Sequence, residues 1–176
     1  HVGTREVVRD MDVVRGVLGD DQLTYLGYSY GTRLGAEYAA AFPDRVRAMV
    51  LDGAIDPDQD PVEEIVLQAE GFQRAFEEFA RYCADYDGCP LGDDPAAAVD
   101  RFRALVGPLL DTPAPTTDPR GLSYGDAITG VQQGLYSPTL WGSLRGGLDS
   151  LASSGTGDTL LRLADLYEGR GDDGTY

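Results

Sequence analysis

The first third of the chain alternates between helical and strand-like patterns of apolar residues. Before Gly19 the apolar residues recur every three or four positions, which predicts an amphipathic helix with one buried stripe: Val7, Val8, Met11, Val14, Val17 and Leu18. Residues 22–26 and 46–51 are short apolar segments that we interpret as buried strands, and residues 32–42 between them have helical spacing. A helix followed by strand, helix and strand predicts a parallel βαβ unit, the core of a doubly wound α/β sheet.

The pattern changes after residue 57, and no strand pattern is visible beyond Ile55. From Val62 onward the apolar spacing is helical, with a turn-rich linker at residues 112–119. Three phenylalanines at helical spacing are predicted to form core rather than a substrate-binding stripe: Phe72, Phe76 and Phe79. The sequence therefore divides into residues 1–57, which contain the sheet, and residues 58–176, which are mostly helical.

Candidate chemistry lies in the turn between the first predicted strand and the helix that follows it. The turn reads Gly27-Tyr28-Ser29-Tyr30-Gly31, and a G-x-S-x-G sequence between a strand and a helix is the nucleophile elbow of α/β-hydrolases. In such an elbow the glycines leave room for a tight turn, and the strained serine holds its Oγ above the sheet. Ser29 is therefore the candidate nucleophile, and the backbone N–H of Tyr30 is the candidate oxyanion donor. The alternative is a Gly/Ser turn that only links two elements.

Four segments around this turn resemble the secreted tripeptidyl aminopeptidases of actinobacteria: Thr4–Asp12, Tyr25–Gly35, Phe42–Val46 and Leu51–Pro57. These enzymes are serine exopeptidases of the prolyl-aminopeptidase group within the α/β-hydrolases. The resemblance implies a partial α/β-hydrolase fold, with the central part of the catalytic domain at residues 1–57 and a helical lid at residues 58–176. It also implies release of N-terminal dipeptides, tripeptides or single residues through a serine acyl-enzyme. Some relatives are esterases, so a carboxylesterase of the same fold is the alternative.

The sequence supplies a nucleophile but no credible catalytic base. Its only histidine is His1, upstream of Ser29, and its 14 basic residues are all arginine, which excludes a Ser–Lys pair. In this fold the triad follows the chain order Ser, acid, His. We therefore expect an internal fragment of a longer protein, whose catalytic acid and histidine lie beyond Tyr176. Asp52 follows the second strand, and we interpret it as a turn residue that bonds local N–H groups rather than as the triad acid.

Two cysteines, Cys83 and Cys89, flank a short loop at the end of a predicted helix. The shared loop, together with the resemblance to the lid of secreted relatives, favours a disulfide and an extracytoplasmic location in a bacterium. Two free thiols or a metal-binding pair are the alternatives. A metal site is disfavoured because neither histidines nor further cysteines are available to complete it. No cofactor is predicted.

The charge of the chain limits its partners. With 30 acidic and 14 basic residues the net charge is −16, and no basic cluster is present to contact the phosphates of a nucleic acid. No apolar stretch of the sequence is long enough to span a membrane. The expected partner is a peptide with a free N-terminus or a small acyl ester. Five carboxylates are available to bind a peptide ammonium group, but a solvated surface role is the simpler interpretation of each: Glu63, Glu64, Glu70, Glu77 and Glu78.

A hydrolase fold that serves as a non-catalytic binding module is the alternative from another class of function. Proteins that lose the chemistry commonly lose the nucleophile, so the presence of Ser29 argues against this alternative. A later aspartate and histidine in the flanking sequence would distinguish an enzyme from such a module.

Overall fold

The computed structural model describes residues 3–171 and 173–176, which divide into two compact units. The first unit ends at Glu64 and contains the helices α1 (Thr4–Val17) and α2 (Tyr30–Ala41) and the strands β1 (Leu23–Tyr28) and β2 (Val46–Asp52). The second unit begins at Ile65 and is helical. A long helix, α3 (Pro61–Ala84), begins in the first unit and continues into the second. The domain boundary predicted between residues 57 and 58 stays a prediction.

The strands β1 and β2 form a parallel pair joined by α2, as the sequence predicted. Leu23 pairs with Val46 and Tyr28 pairs with Asp52, with one irregularity of register near the start of the strands. A 3-10 turn, Pro43–Arg45, leads from α2 into β2. This connection brings the ends of both strands side by side, so the turn after β1 lies next to the end of β2.

A helix covers only one face of this strand pair within the described residues. Gly35 of α2 lies so close to the strands that an added Cβ would come within 3.1 Å of three side chains: Tyr25, Met49 and Leu51. On the other face Leu26 is 55% exposed and Val50 is 60% exposed. Both strands are therefore present as predicted, but the prediction that they are buried is wrong, because only one face of the pair packs against a helix.

The first helix buries a different set of residues from the predicted apolar stripe. Val8 is buried, but Val14, Val17 and Leu18 are 56%, 81% and 71% exposed. The stripe therefore correctly predicts the helix and only part of its packing. An arginine, Arg15, is buried on this helix instead, with 7% of its surface exposed.

A polar cluster that the sequence did not predict joins α1 to α2. The Nε of Arg15 donates to the carboxylate of Asp12 at 2.8 Å, and its terminal nitrogen donates to the carbonyl of Asp20. Tyr38 of α2 is fully buried and donates its hydroxyl to the same Asp12 oxygen at 3.0 Å. The hydrogen bonds from Arg15 and Tyr38 hold the pKa of Asp12 below its usual value. The buried guanidinium is thus paired, as burial of a charge requires.

The second unit consists of helices packed around an apolar core, as predicted from the helical spacing after Val62. Besides α3, it contains α4 (Ala98–Val106), α5 (Tyr124–Leu135), α6 (Trp141–Ser154) and α7 (Asp158–Glu168). Phe76 and Phe79 are buried in this core, as expected, and Phe72 is half-buried. None of the helices in residues 3–171 and 173–176 has the length and apolar character that crossing a membrane requires.

One close contact fixes α5 against α7. Gly130 of α5 lies directly against the backbone of Leu160 in α7, where an added Cβ would clash. Beyond β2, the described residues form no further strand and only a single antiparallel bridge, between the buried Ala114 and Leu122. The helices therefore pack without a sheet beneath them in this unit.

The predicted linker at residues 112–119 is held to α7 by charged groups. Arg120 donates to Asp118 at 3.0 Å and to Asp165 of α7 at 2.9 Å. Arg170 lies 3.4 Å from Asp118 and adds a second arginine to the cluster. The hydrogen bonds from Arg120 lower the pKa of Asp118 to about 2. The linker is therefore an ordered part of the helical unit.

The disulfide predicted between Cys83 and Cys89 is confirmed. It ties the end of α3 to the loop that follows, and Cys83 is fully buried in the core of the helical unit. Within this loop the ring of Tyr86 packs against the guanidinium of Arg145 from α6, at 4.3 Å from the ring centroid. The loop is thus fixed to its own helix by a covalent bond and to α6 by a cation–π contact.

We expect reduction of the disulfide to lower the free energy of unfolding by about 2 kcal/mol, because the bond restricts the unfolded chain by closing a short loop. Urea unfolding with and without a reducing agent measures this change, and mass spectrometry of non-reduced protein detects the bridge. The variant carrying both Cys83→Ala and Cys89→Ala is the control, since its stability should not respond to reduction. Equal stability of the reduced and oxidised wild-type protein would contradict the expectation.

Candidate active site

Ser29 occupies a strained turn between β1 and α2. Its φ of 51° and ψ of −120° are unlike those of any regular element, and it is the only non-glycine residue with positive φ within residues 3–171 and 173–176. The side chain is exposed. A serine with this backbone is the geometry that the motif predicts, because the turn directs Oγ away from the strand and the helix.

Hydrogen bonds hold both peptide groups of Ser29. Its N–H donates to the carbonyl oxygen of Asp52, the last residue of β2, at 3.0 Å. Its own carbonyl oxygen accepts from the backbone N–H of Thr32 at 2.8 Å and from the hydroxyl of Thr32 at 2.6 Å. Strain of this kind persists only where neighbouring groups fix the backbone, and here both sides of the residue are fixed.

The two glycines of the motif meet different steric demands. A Cβ on Gly27 would lie 2.6 Å from the carbonyl oxygen of Gly31, which backbone atoms cannot accommodate. A Cβ on Gly31 would meet only the hydroxyl of Tyr25, at 3.3 Å. The predicted requirement for glycine is therefore strict at the first position and milder at the second.

Tyr25 of β1 contacts the turn through its side-chain hydroxyl. Its hydroxyl donates to the carbonyl of Gly31 at 2.8 Å. Burial raises the pKa of Tyr25, which keeps the hydroxyl protonated and able to donate. In the sequence this residue looked like any other aromatic residue of a strand, and no local signal would have identified its contact with the turn.

Tyr30 begins α2 directly after the serine. Its backbone N–H belongs to the first turn of a helix, where N–H groups have no partner within the helix, and it makes no hydrogen bond within the described residues. The positive end of the helix dipole lies at the same place and favours negative charge. The side chain of Tyr30 turns toward α1, where its hydroxyl lies 2.6 Å from Oγ1 of Thr4. A free backbone donor therefore lies next to Ser29.

Asp52 contributes its backbone carbonyl to this turn. Its side chain is exposed and makes no hydrogen bond among the described residues, so the prediction that its carboxylate accepts from local N–H groups is wrong. At this position the backbone carbonyl, which accepts from the N–H of Ser29, makes the contact with the turn, while the carboxylate is exposed to solvent.

The carboxylates considered for binding an ammonium group are largely occupied by local partners. Glu64, Glu70 and Glu78 each form an ion pair, with Arg33 at 3.9 Å, with Arg74 at 3.9 Å and with Arg81 respectively. Glu77 accepts from the side chain of Gln73 at 3.1 Å. Within the part of the chain that the structure describes, Glu63 has no side-chain partner. The local partners of the other four carboxylates favour the simpler interpretation of those four as surface groups.

The described residues contain neither an imidazole nor a set of side chains arranged as metal ligands. His1 lies outside the described residues. In residues 3–171 and 173–176, no group of three or more His, Cys, Asp or Glu side chains is arranged to hold a metal ion. The chemistry that the described residues bring together is thus a serine with a free backbone N–H beside it.

The arrangement of a parallel strand, a strained serine and a helix matches a known family. The profile of the family described as alpha/beta hydrolase fold matches residues 1–170. The chain belongs to this family. The predicted fold class, a partial α/β-hydrolase fold followed by a mostly helical region, is thereby confirmed.

Three named relatives give a more specific comparison than the family as a whole. Serine protease Hip1 of Mycobacterium tuberculosis is 56% identical over 183 residues, which cover all of this chain and 35% of that protein. Carboxylesterase B of the same species is 54% identical over 176 residues, which cover all of this chain and 34% of that protein. Tripeptidyl aminopeptidase of Streptomyces lividans is 38% identical over 146 residues, which cover 80% of this chain and 26% of that protein.

The predicted resemblance to actinobacterial tripeptidyl aminopeptidases is confirmed by these relatives, which are bacterial hydrolases by name. The chain spans 35% or less of the length of each of these three proteins. The names of the three relatives agree on hydrolase chemistry and differ between peptidase and esterase.

We expect Gly27→Ala to lower the free energy of unfolding by about 3 kcal/mol, because the new Cβ would press on the backbone of Gly31 and force the turn apart. Gly16→Ala is the matched control: Gly16 lies in α1 with no atom near an added Cβ, so alanine should stabilise the helix by about 0.5–1 kcal/mol. Chemical denaturation of both variants measures the difference. Equal effects of the two substitutions would show that the close approach at Gly27 does not exist.

Proposed function

We propose that this chain carries the nucleophile of a serine exopeptidase that releases N-terminal dipeptides, tripeptides or single residues from peptides. The observation that carries the proposal is the backbone of Ser29, strained at φ 51° between a parallel strand and a helix. Beside it lies the N–H of Tyr30, which has no partner among the described residues. A tight turn of this kind exposes a serine hydroxyl and places a backbone donor beside it.

The reaction begins with attack of the Ser29 Oγ on the peptide carbonyl carbon. A histidine from outside the 176 residues accepts the hydroxyl proton and then delivers it to the leaving amine, while a partner carboxylate orients the imidazole. The N–H of Tyr30 donates to the oxyanion of the tetrahedral intermediate, and the positive end of α2 adds to this stabilisation. Water then hydrolyses the acyl-enzyme and regenerates Ser29.

The proposed location of the histidine and the acid rests on the sequence and on chain order. The triad of this fold runs Ser, acid, His, whereas the only histidine here, His1, precedes Ser29. Serine protease Hip1 and carboxylesterase B are about three times as long as the region that each shares with this chain, which leaves room for both residues.

Peptide-bond hydrolysis is supported by the names of two relatives, a serine protease and a tripeptidyl aminopeptidase, and the exopeptidase assignment by the name of the second. An aminopeptidase must bind the ammonium group of its substrate, and a carboxylate is the natural partner for that charge. Of the carboxylates considered, Glu63 has no local partner within the described residues and is the first to test. The proposed substrate is therefore a peptide with a free N-terminus.

A carboxylesterase is the second candidate function. Carboxylesterase B is 54% identical to this chain, close to the 56% of the serine protease, so identity alone favours neither activity. The same serine and the same oxyanion donor serve both reactions, since each proceeds through an acyl-enzyme. The two candidates differ in whether the site binds a free amine.

We further propose an extracytoplasmic location. The disulfide between Cys83 and Cys89 supports it, because such bonds persist in oxidising compartments and are rare in the cytosol. The three relatives compared are bacterial, and a bacterial protein with a structural disulfide is expected outside the cytoplasm.

We expect a fluorophosphonate probe to label the full-length protein at Ser29 and not to label the Ser29→Ala variant, because only an activated serine attacks the phosphorus. Intact-protein mass spectrometry with peptide mapping measures the site. The variant Gly16→Ala, at an open position of α1, is the control and should label like the wild-type protein. Labelling of another residue would contradict the assignment of the nucleophile.

The 176 residues alone should not label, and strong labelling of them would contradict a base outside this chain.

Acetylating the N-terminus of a tripeptide substrate is expected to lower kcat/KM by about tenfold to a hundredfold, because it removes a charge-assisted hydrogen bond of about 1.5–3 kcal/mol. Rates on matched free and acetylated peptides, measured with the full-length protein, give this ratio. A ratio near one together with fast turnover of acyl esters would assign the protein as a carboxylesterase. Slow hydrolysis of an activated aryl acetate agrees with both activities.

A further inference from the structure

Thr32 lies in the first turn of α2 and is almost completely buried, with 1% of its surface exposed. It supplies two donors to one acceptor, the carbonyl oxygen of Ser29. The backbone N–H of Thr32 donates at 2.8 Å and its hydroxyl donates at 2.6 Å. A carbonyl oxygen has two lone pairs, so these two bonds use its full capacity.

The hydroxyl of Thr32 is also an acceptor. The backbone N–H of Ile55, in the loop after β2, donates to Oγ1 of Thr32 at 2.9 Å. The directions of both bonds follow from the partners, because an amide N–H can only donate and a carbonyl oxygen can only accept. One side chain therefore links the carbonyl of Ser29 to the loop that follows β2.

This link fixes the direction of a second group. The carbonyl of Ser29 and the N–H of Tyr30 belong to the same peptide unit, which is trans, as are all peptides of the described residues. In a planar trans peptide the C=O and the N–H point in opposite directions. The two donors fix the direction of the Ser29 C=O bond. They therefore also fix the Tyr30 N–H bond, which points the opposite way.

We propose that Thr32 is a positioning residue for the nucleophile turn: its hydroxyl sets the plane of the peptide between Ser29 and Tyr30, and so aims the oxyanion-binding N–H. The inference rests on the proposed function, in which that N–H stabilises the tetrahedral intermediate. Thr32 itself does not touch the substrate. Its effect reaches the reaction through the orientation of one peptide group, and the bond to Ile55 keeps the hydroxyl from rotating away.

The test compares Thr32→Val, which removes the hydroxyl and keeps the branched shape, with Thr32→Ser, which keeps the hydroxyl. In the full-length protein, Thr32→Val should lower kcat and the rate of fluorophosphonate labelling at Ser29 by about tenfold to a hundredfold, with KM within about twofold of wild type. The reason is that an oxyanion contact acts only in the transition state. Thr32→Ser should retain at least about a third of both wild-type rates.

Thermal unfolding and inhibitor binding separate positioning from a purely structural role. A boronic acid that forms a tetrahedral adduct at Ser29 should bind Thr32→Val more weakly by the same factor as kcat falls, while a non-reactive substrate analogue should bind unchanged. If Thr32→Val does not fold, Thr32→Ala carries the same expectation, because it also lacks the hydroxyl.

Two outcomes would overturn the role of Thr32 and leave the proposed function intact. One is labelling of Thr32→Val at the wild-type rate. The other is an equal loss of rate in Thr32→Val and Thr32→Ser that follows their loss of thermal stability, which would mean that Thr32 only supports the fold. Failure of the wild-type protein itself to label at Ser29 would instead overturn the proposed function, and the role of Thr32 with it.

Discussion

The positive φ of Ser29 is the constraint on which the rest of the first unit depends. A non-glycine residue held in a sparsely populated conformation is strained by about 1–3 kcal/mol, so its surroundings must hold it there. The end of β2 does so, because the carbonyl of Asp52 accepts the Ser29 N–H. Parallel pairing of β1 with β2, through α2, is what brings this carbonyl next to the serine. The strand pairing that forms the unit therefore also fixes the backbone of the candidate nucleophile.

Close packing beneath the turn follows from the same constraint. The chain passes from strand to helix within a single residue, which brings the backbone at Gly27 against the backbone at Gly31. Tyr25 occupies the remaining space and donates to the Gly31 carbonyl. Steric exclusion on one side and hydrogen bonds on the other leave the serine side chain directed outward and exposed. The backbone of Gly31 and the ring of Tyr25 would both lie within 2.7 Å of a Cβ on Gly27, so both contacts require glycine at this position.

Arginine holds together elements of this acidic chain at several points. Arg15 joins α1 to the loop before β1, Arg33 joins α2 to the segment that begins α3, and Arg120 joins the 112–119 linker to α7. Because the sequence has no lysine, each of these positions carries a planar guanidinium, which can donate to several acceptors at once. Part of the acidic charge is therefore paired with arginine in contacts within each unit. The remaining acidic side chains form a solvated surface that favours solubility.

The sequence alone determined the features that depend on neighbouring residues: the helices, the parallel strand pair, the candidate Ser29 and the order of sheet before helices. Periodicity and the G-x-S-x-G motif are local patterns, so a single sequence can reveal them. Tertiary structure decided which side chains are buried and which groups the turn contacts. Val14 is exposed and Arg15 is buried because packing, and not hydrophobicity alone, selects the buried face of α1. The bond between Thr32 and the Ile55 N–H joins residues that are 23 positions apart, and no pattern along the chain marks such a partner, because it is brought there only when β2 pairs with β1.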